Sequence, residues 1–158
     1  MTKNYKMTTI IHRYLENLTP QQKNQINIIC VNECWREILY PCRAKGNNET
    51  KILLTIAINK ANNIVGFAKT ITINNSALIT DILVSKKYRN QNIGQQLIHN
   101  IENLLITYSI SKMMIYATNP TCQHIMEKND FKFKGEIRLP FYKDKKKFYE
   151  GYNMQKEY

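Results

Sequence analysis

The pattern of apolar and polar residues divides the chain into short strands and helices. Three β-rich runs follow one another at residues 52–59, 64–73 and 77–84, and the breaks between them have the length of hairpin turns. We therefore expect a three-stranded antiparallel meander. An earlier strand is expected within residues 7–17, where β-branched residues alternate loosely with polar ones.

A first helix is predicted between the early strand and the meander. In the stretch TPQQ, Thr19 is placed as the N-cap, Pro20 as the first helical residue and Gln22 as the capping-box partner. The expected apolar stripe of this helix is Ile26, Ile29, Cys30 and Ile38. The helix is then expected to end near the loop at residues 40–50. Trp35 borders this loop, and packing is its expected role, with ligand contact as the alternative.

A second helix is predicted to begin near Gly94, because apolar residues recur there at spacings of three and four. These residues are Ile93, Leu97, Ile101, Leu104, Leu105 and Tyr108. A strand at 112–118 should lie parallel to the strand at 77–84, and a short helix at 121–131 and two closing strands follow. The order β-α-βββ-α-β-α-ββ indicates an α/β fold on a mixed, mostly antiparallel sheet, in a single domain over residues 1–158.

The chain is strongly basic, with 23 Lys and Arg against 12 Asp and Glu, a net charge of +11. This balance favours anionic partners such as phosphorylated small molecules, although a soluble surface with surplus lysine is the alternative. No aromatic-rich basic motif supports binding to nucleic acid. No apolar run approaches the ~18 residues of a membrane span, so no membrane partner is expected.

The four cysteines, Cys30, Cys34, Cys42 and Cys122, form no CxxC pair and have no histidine at ligand spacing. A zinc site is therefore not expected, nor any other metal. Scattered cysteines in a chain of this size are typical of free thiols in a reducing compartment. Together with the lack of a signal peptide pattern, this predicts a soluble cytoplasmic protein.

The stretch YRNQNIGQQL, residues 88–97, lies where a strand passes through a short loop into a helix. The free N–H groups at a helix N-terminus and the helix dipole make such a loop an anion site, with phosphate as its usual occupant. Arg89 and the neighbouring Lys86 and Lys87 add positive charge. Gly94 has no Cβ, so a phosphate can approach its backbone closely.

These residues resemble the signature of the GNAT superfamily of acetyl-CoA-dependent N-acetyltransferases, a Gln/Arg-x-x-Gly-x-Gly/Ala loop after a strand that ends V-x-x-x-Y/F-R. The resemblance implies that acetyl-CoA is the cosubstrate and that Leu83 and Val84 contact its thioester and pantetheine arm through their backbone. The residues it implies for the pyrophosphate are Arg89, Asn90, Gln91, Asn92, Ile93 and Gly94. A later family pattern is matched by Asn119, Glu127, Lys128 and Phe131, which adds Asn119 to the expected coenzyme site.

The sequence departs from the family pattern at three positions. Asn92 replaces the first glycine of the loop, and asparagine tolerates left-handed backbone angles better than most residues. Met126 stands where the family often has a tyrosine that protonates the departing thiolate. Asp130 replaces a glycine before Phe131, which is expected to affect only a turn.

Three residues are candidates for the chemistry. Asp81 is the one carboxylate inside the apolar run ALITDILV, where burial would raise its pKa and suit it to act as a base; an Asp hydrogen-bonded to a neighbouring loop is the equal alternative. Thr80 occupies the position of a glutamate base in some relatives. Cys122 lies one helical turn before Met126 and could donate a proton, or be a buried structural cysteine. Backbone amides near Leu83 and Val84 are expected to polarise the thioester carbonyl, with direct transfer to the amine.

Within the superfamily, residues 78–98 are most similar to the glucosamine-6-phosphate N-acetyltransferases. That resemblance implies a small anionic primary amine as acceptor, glucosamine 6-phosphate, and a homodimer. A peptide or protein N-acetyltransferase is the alternative, with the loop at residues 40–50 helping to form a groove. A non-catalytic acyl-CoA-binding module is a further alternative, favoured by Met126 and Thr80.

Overall fold

The computed structural model describes residues 8–35, 37–39, 50–117, 120–140 and 148–158. In this part of the chain, seven strands form one mixed sheet in the order β1-β2-β3-β4-β5-β7-β6. The strands are β1 (Thr9–Tyr14), β2 (Lys51–Ile58), β3 (Ile64–Ile73), β4 (Ser76–Val84), β5 (Lys112–Ala117), β6 (Lys132–Pro140) and β7 (Phe148–Glu157). The helices are α1 (Pro20–Asn32), α2 (Ile93–Thr107) and α3 (Pro120–Lys128).

This architecture confirms the predicted fold class and the predicted element order. The meander β2-β3-β4 is antiparallel, and β4 and β5 are the parallel pair. The N-terminus of α1 has the predicted capping box, in which the Thr19 hydroxyl accepts from the Gln22 N–H and the Gln22 side chain accepts from the Thr19 N–H. Cys42 and Asn119 lie outside the described residues.

The helices cover the two faces of the sheet. α1 packs on one face, in an apolar cluster that includes Ile26, Ile29, Leu54, Ile56, Phe67 and Leu83. α2 and α3 pack on the other face, in a cluster that includes Ile79, Ile98, Ile101, Met113, Ile115 and Met126. The centre of the sheet is therefore buried on both sides, and residues 52–57 of β2 are all buried.

α1 ends earlier than the sequence predicts. It stops at Asn32, where Cys34 takes a left-handed conformation (φ 53°) and the Trp35 N–H donates to the Cys30 carbonyl at 2.7 Å. This is a Schellman end, which usually contains glycine at the left-handed position. Ile38 is buried in the cluster beneath α1, as expected, but it lies on the segment after the helix.

The other two helices end in the same way on residues other than glycine. Ser109 (φ 60°) ends α2, with a bond from the Ile110 N–H to the Leu105 carbonyl, and Asp130 (φ 66°) ends α3. Asp130 therefore occupies a turn that the family glycine would also fit. A residue with a Cβ in this region costs about 1–2 kcal/mol.

Gly66 of β3 is required by packing. A Cβ at this position would lie 3.1 Å from the Leu83 carbonyl oxygen and 3.3 Å from a methyl group of Val84. It would also lie 3.4 Å from a side-chain carbon of Ile93, the first residue of α2. The absence of a side chain thus lets the end of β4 and the start of α2 lie close to β3.

Neither a membrane-spanning helix nor a cluster of metal ligands is found in the described residues. No helix among them has both the length and the apolar character needed to cross a membrane. No group of three or more His, Cys, Asp or Glu side chains among them could hold a metal ion.

Replacing Ser109 by glycine should stabilise the fold, because it removes the Cβ strain at the end of α2. We expect Ser109→Gly to raise the free energy of unfolding by about 1 kcal/mol, measured by urea denaturation. Ser109→Ala keeps the Cβ and is the matched control, with little change expected. A Ser109→Gly variant no more stable than Ser109→Ala would contradict the assignment of strain.

Candidate functional site

The site begins where β4 separates from β5. The two strands pair only over Ser76–Ile79 and Lys112–Ile115, whereas β4 stays paired with β3 as far as Val84. At the point of separation Thr80 is the extra residue of a β-bulge, since the β3 register passes from Asp81 directly to Ile79. A gap therefore opens between β4 and β5 beyond Ile79.

The backbone of β4 faces this gap at alternate residues. The Ser85 N–H donates to the Val65 carbonyl at 2.9 Å, which fixes the phase of the antiparallel ladder with β3. Because ladder bonds alternate, the amide of Leu83 faces β3, and the amides of Ile82 and Val84 face the gap. Of the two amides expected to polarise a carbonyl, only that of Val84 is directed into the gap, and the amide of Ile82 is directed there as well. Leu83 is nevertheless among the residues that line the cleft.

The loop between β4 and α2 contains two left-handed asparagines. A short 3₁₀ turn at Lys86–Tyr88 is followed by Asn90 (φ 59°) and by Asn92 (φ 61°, ψ 13°), which is the N-cap of α2. Asn92 therefore has the backbone conformation that glycine adopts most readily, as its replacement of the family glycine requires. The first N–H groups of α2 have no partner within the helix, so they lie where the sequence predicts an anion site, and that site stays a prediction.

Gly94 lies in the first turn of α2, and the fold itself does not require glycine there. A Cβ at this position would meet only a methyl carbon of Ile125, at 3.8 Å, which is an ordinary contact. Gly94 lines the cleft together with Asn90, Asn92 and Ile93. The missing side chain leaves the backbone of the turn open to a ligand.

Arg89 is held in place by Glu33, the C-cap residue of α1. Its guanidinium Nη2 lies 2.7 Å from Oε2 of Glu33, and its Nε donates to the Val84 carbonyl at 3.0 Å. The other oxygen of Glu33 accepts the backbone N–H of Lys86 at 2.7 Å. Glu33 therefore ties the end of α1 to the loop, and it balances part of the positive charge that Arg89 brings to the site.

α3 forms the opposite wall of the cleft, and a pair of amide side chains holds it against α2. Gln95 donates to the Asn129 side-chain oxygen at 2.9 Å, and Asn129 donates back to Gln95 at 3.1 Å. Asn129 also donates to the Ile125 carbonyl at 2.7 Å. These bonds fix the distance between the start of α2 and the end of α3.

The gap, the loop and α3 enclose a cleft of about 710 Å³. Its size lies within the range of small-molecule sites. From α1 and the segment after it, Glu33 and Trp35 line the cleft, and from α3, Cys122, Ile125 and Met126 do so. Gln91 is partly buried but is not among the residues that line the cleft.

Cys122 is a weak acid in this structure. Burial raises the pKa of its thiol to about 11, so it gives up its proton less readily than an ordinary thiol. The same high pKa makes Cys122 a poor nucleophile, which agrees with direct acetyl transfer. Met126 beside it carries no proton to donate.

The two β4 candidates for base catalysis do not line the cleft. Asp81 is 3% exposed, and its Oδ1 accepts the indole N–H of Trp35 at 3.0 Å. The Thr80 hydroxyl lies 3.4 Å from the Lys69 carbonyl oxygen as a weak donor. Asp81 therefore makes a hydrogen bond of the kind expected in the second of its two roles, and its role as a base stays a prediction.

Sequence reasoning missed Lys69, which is 2% exposed in the middle of β3. It lies directly opposite Asp81 on β4, and its Nζ donates to the Ile38 carbonyl at 2.7 Å. The available signal was a single lysine inside the apolar run IVGFAKTITI. A buried lysine needs a partner of opposite charge, and Asp81 was the one carboxylate in the next strand.

The family of the chain follows from its sequence. A family model described as an acetyltransferase (GNAT) domain matches residues 14–152. The chain belongs to the GNAT acetyltransferases and is an acetyl-transferring enzyme. Members of this family use acetyl-CoA as cosubstrate. No curated protein matches the chain by sequence.

Solved structures with the same fold show how widely it is shared. A ribosomal-protein-alanine N-acetyltransferase from Escherichia coli is 18% identical, with a TM-score of 0.69 over 96% of this chain and 94% of that one. A mutant spermidine N-acetyltransferase from Vibrio cholerae is 15% identical, with a TM-score of 0.70 over 94% and 93%. A GNAT acetyltransferase from Staphylococcus aureus is 18% identical, with a TM-score of 0.67 over 96% and 99%. At these identities the likeness concerns the fold alone.

Removing the thiol of Cys122 should leave catalysis nearly intact. We expect Cys122→Ala to keep kcat for acetyl transfer within about threefold of the unmodified enzyme, whereas loss of a true general acid costs about 10²–10⁴-fold. The measurement is steady-state release of coenzyme A with a saturating amine. A fall of a hundredfold, with an unchanged unfolding transition, would restore Cys122 as the proton donor.

Proposed function

We propose that this enzyme transfers the acetyl group of acetyl-CoA directly to the primary amine of a small anionic acceptor, for which glucosamine 6-phosphate is the best candidate. The observation that carries the proposal is the gap between β4 and β5, which opens beside the N-terminus of α2. It supplies backbone donors for an extended arm and an anion site for a phosphate within one cleft.

The cleft has the features that coenzyme A requires. Its pyrophosphate fits the N-terminus of α2, with the backbone of Asn92, Ile93 and Gly94 as donors. The amide-containing arm fits along β4, where Ile82 and Val84 present backbone groups to the gap as an added strand would require. Arg89 lies between these two regions and is held by Glu33. Asn119 and Gln91 are retained as coenzyme residues on the family resemblance alone.

The proposed reaction does not require an acidic or basic side chain of the enzyme. Acetyl-CoA supplies a thioester, which is an activated acyl group with a good leaving group. The N–H groups of Ile82 and Val84 polarise its carbonyl oxygen, the role of an oxyanion site. With Asp81 behind the cleft wall, the amine loses its proton to water. The departing thiolate, whose pKa is near ~8.5, takes its proton from water as well.

The choice of acceptor has two supports. The run of residues 78–98 resembles glucosamine-6-phosphate N-acetyltransferases, and the net charge of +11 favours an anionic substrate over a polycation such as spermidine. Thr80 and Met126 differ from that group of enzymes. These differences bear on the proton route.

The proposal is tested by release of free thiol from acetyl-CoA with a panel of amines. The panel is glucosamine 6-phosphate, glucosamine, spermidine, a lysine peptide, a peptide with a free N-terminal alanine, and no acceptor. We expect the sugar phosphate to give the highest kcat/KM, with free glucosamine at least about tenfold lower because it lacks the charged group. Higher kcat/KM with either peptide would replace the proposed acceptor by a polypeptide.

Adding one methyl group at Gly94 should weaken coenzyme binding without harming the fold. We expect Gly94→Ala to lower the affinity for acetyl-CoA at least about tenfold, because the new Cβ occupies space beside the helix amides, while stability rises by up to about 1 kcal/mol from helix propensity. Calorimetry and urea denaturation measure the two quantities. Gln96→Ala, an exposed position two residues further along α2, is the control. Unchanged affinity in Gly94→Ala would argue against the proposed pyrophosphate position.

A further inference from the structure

Two charged residues are buried side by side in the sheet wall next to the cleft. Lys69 on β3 is 2% exposed and Asp81 on β4 is 3% exposed, and the strand register places them directly opposite each other. Both side chains lie on the α1 face of the sheet, since their neighbours Phe67 and Leu83 belong to the cluster beneath α1. Taking two charges out of water is costly, so their contacts need an explanation.

Each of the two residues holds one part of the segment that follows α1. The Lys69 ammonium donates to the Ile38 carbonyl at 2.7 Å, and the Asp81 carboxylate accepts the Trp35 indole N–H at 3.0 Å. Ile38 is fully buried, and Trp35 packs against the same apolar cluster. These two bonds join the sheet to a segment that α1 no longer supports, because the helix ends at Asn32.

Trp35 lines the cleft on the side opposite to α3. Cys122, Ile125 and Met126 contact the core on the α2–α3 face, whereas Trp35 belongs to the cluster on the α1 face. The gap between β4 and β5 connects the two faces. With acetyl-CoA bound at α2 and along β4, as proposed above, the α1 side is the side from which an amine can reach the thioester.

We propose that Trp35 contacts the acceptor amine substrate, and that Asp81 and Lys69 are positioning residues that hold this tryptophan and its segment at the cleft. The only polar atom of the indole is bound to Asp81, so the ring presents only carbon to the cleft. Such a surface suits the C–H face of a sugar ring, or a methylene chain, next to the reacting amine. Specificity for the acceptor skeleton then arises at Trp35.

The test compares Asp81→Asn, Asp81→Leu and Trp35→Ala. The amide oxygen of asparagine can still accept the indole N–H, whereas leucine cannot. We expect Asp81→Asn to keep kcat within about threefold. Asp81→Leu and Trp35→Ala should both raise KM, at least about tenfold, for the amine of the panel that the enzyme acetylates. The affinity for acetyl-CoA, measured by calorimetry, should change less than about twofold in all three.

The hydrogen bond between Asp81 and the Trp35 indole is called the anchor below. Trp35 is the only tryptophan of the chain, so its fluorescence reports on the anchor without any need for turnover. Asp81→Leu should shift the emission to longer wavelength and increase quenching by acrylamide, and Asp81→Asn should do neither. Ile28→Ala, on the exposed side of α1, is the control for both measurements. Urea denaturation of each variant shows whether a change reflects loss of the fold.

Three results would overturn the proposal. A fall in kcat of about a hundredfold in Asp81→Asn, with KM and fluorescence unchanged, would make Asp81 a base. A loss of acetyl-CoA affinity in Trp35→Ala would assign the tryptophan to the coenzyme. Unchanged emission in Asp81→Leu would show that Asp81 does not hold Trp35 in place. If no amine of the panel is acetylated, the proposed function fails separately, and the fluorescence of Asp81→Leu still decides whether the anchor exists.

Discussion

The structure depends on β4, which pairs with β3 on one side and separates from β5 on the other. β4 keeps its ladder with β3 to its last residue, while its pairing with β5 stops at Ile79. The bulge at Thr80 makes this possible, because an extra residue bends the strand and increases its local twist. The consequence is a stretch of β4 whose outward backbone groups have no β-strand partner among the described residues. In the interior of the sheet, this is where a ligand can add hydrogen bonds.

The loop that follows β4 turns into α2 with asparagines at its left-handed positions, where glycine is the usual residue. Asn90 and Asn92 both have positive φ, and Gly94 does not. Asparagine pays less than other residues for this conformation, so the chain can turn into α2 at a modest cost. Glycine is kept only at Gly94, where the space is open to a ligand and the backbone conformation is ordinary for a helix.

Sequence reasoning predicted the strands and helices well, because their apolar patterns are local. It failed where the information is not local. α1 was extended to Ile38 because its end lies on Cys34, a residue that gives no helix-stop signal. The partner of Asp81 is Trp35, 46 residues away, and no spacing rule connects them. The direction of the Leu83 amide depends on the phase of a ladder, which a single strand does not reveal.

The buried pair of Lys69 and Asp81 connects the core of the sheet to the segment after α1, where Trp35 lines the cleft. An apolar pair of the same size would often serve stability equally well or better, so stability alone does not account for these charges. What an apolar pair could not do is accept an indole N–H and donate to the Ile38 carbonyl, the two bonds that order the segment after α1. Burial and the negative charge of Asp81 together raise the pKa of nearby Cys30 to about 11, so that this thiol stays neutral beneath α1. The charges are therefore best understood as a means of shaping the acceptor side of the cleft from within the sheet.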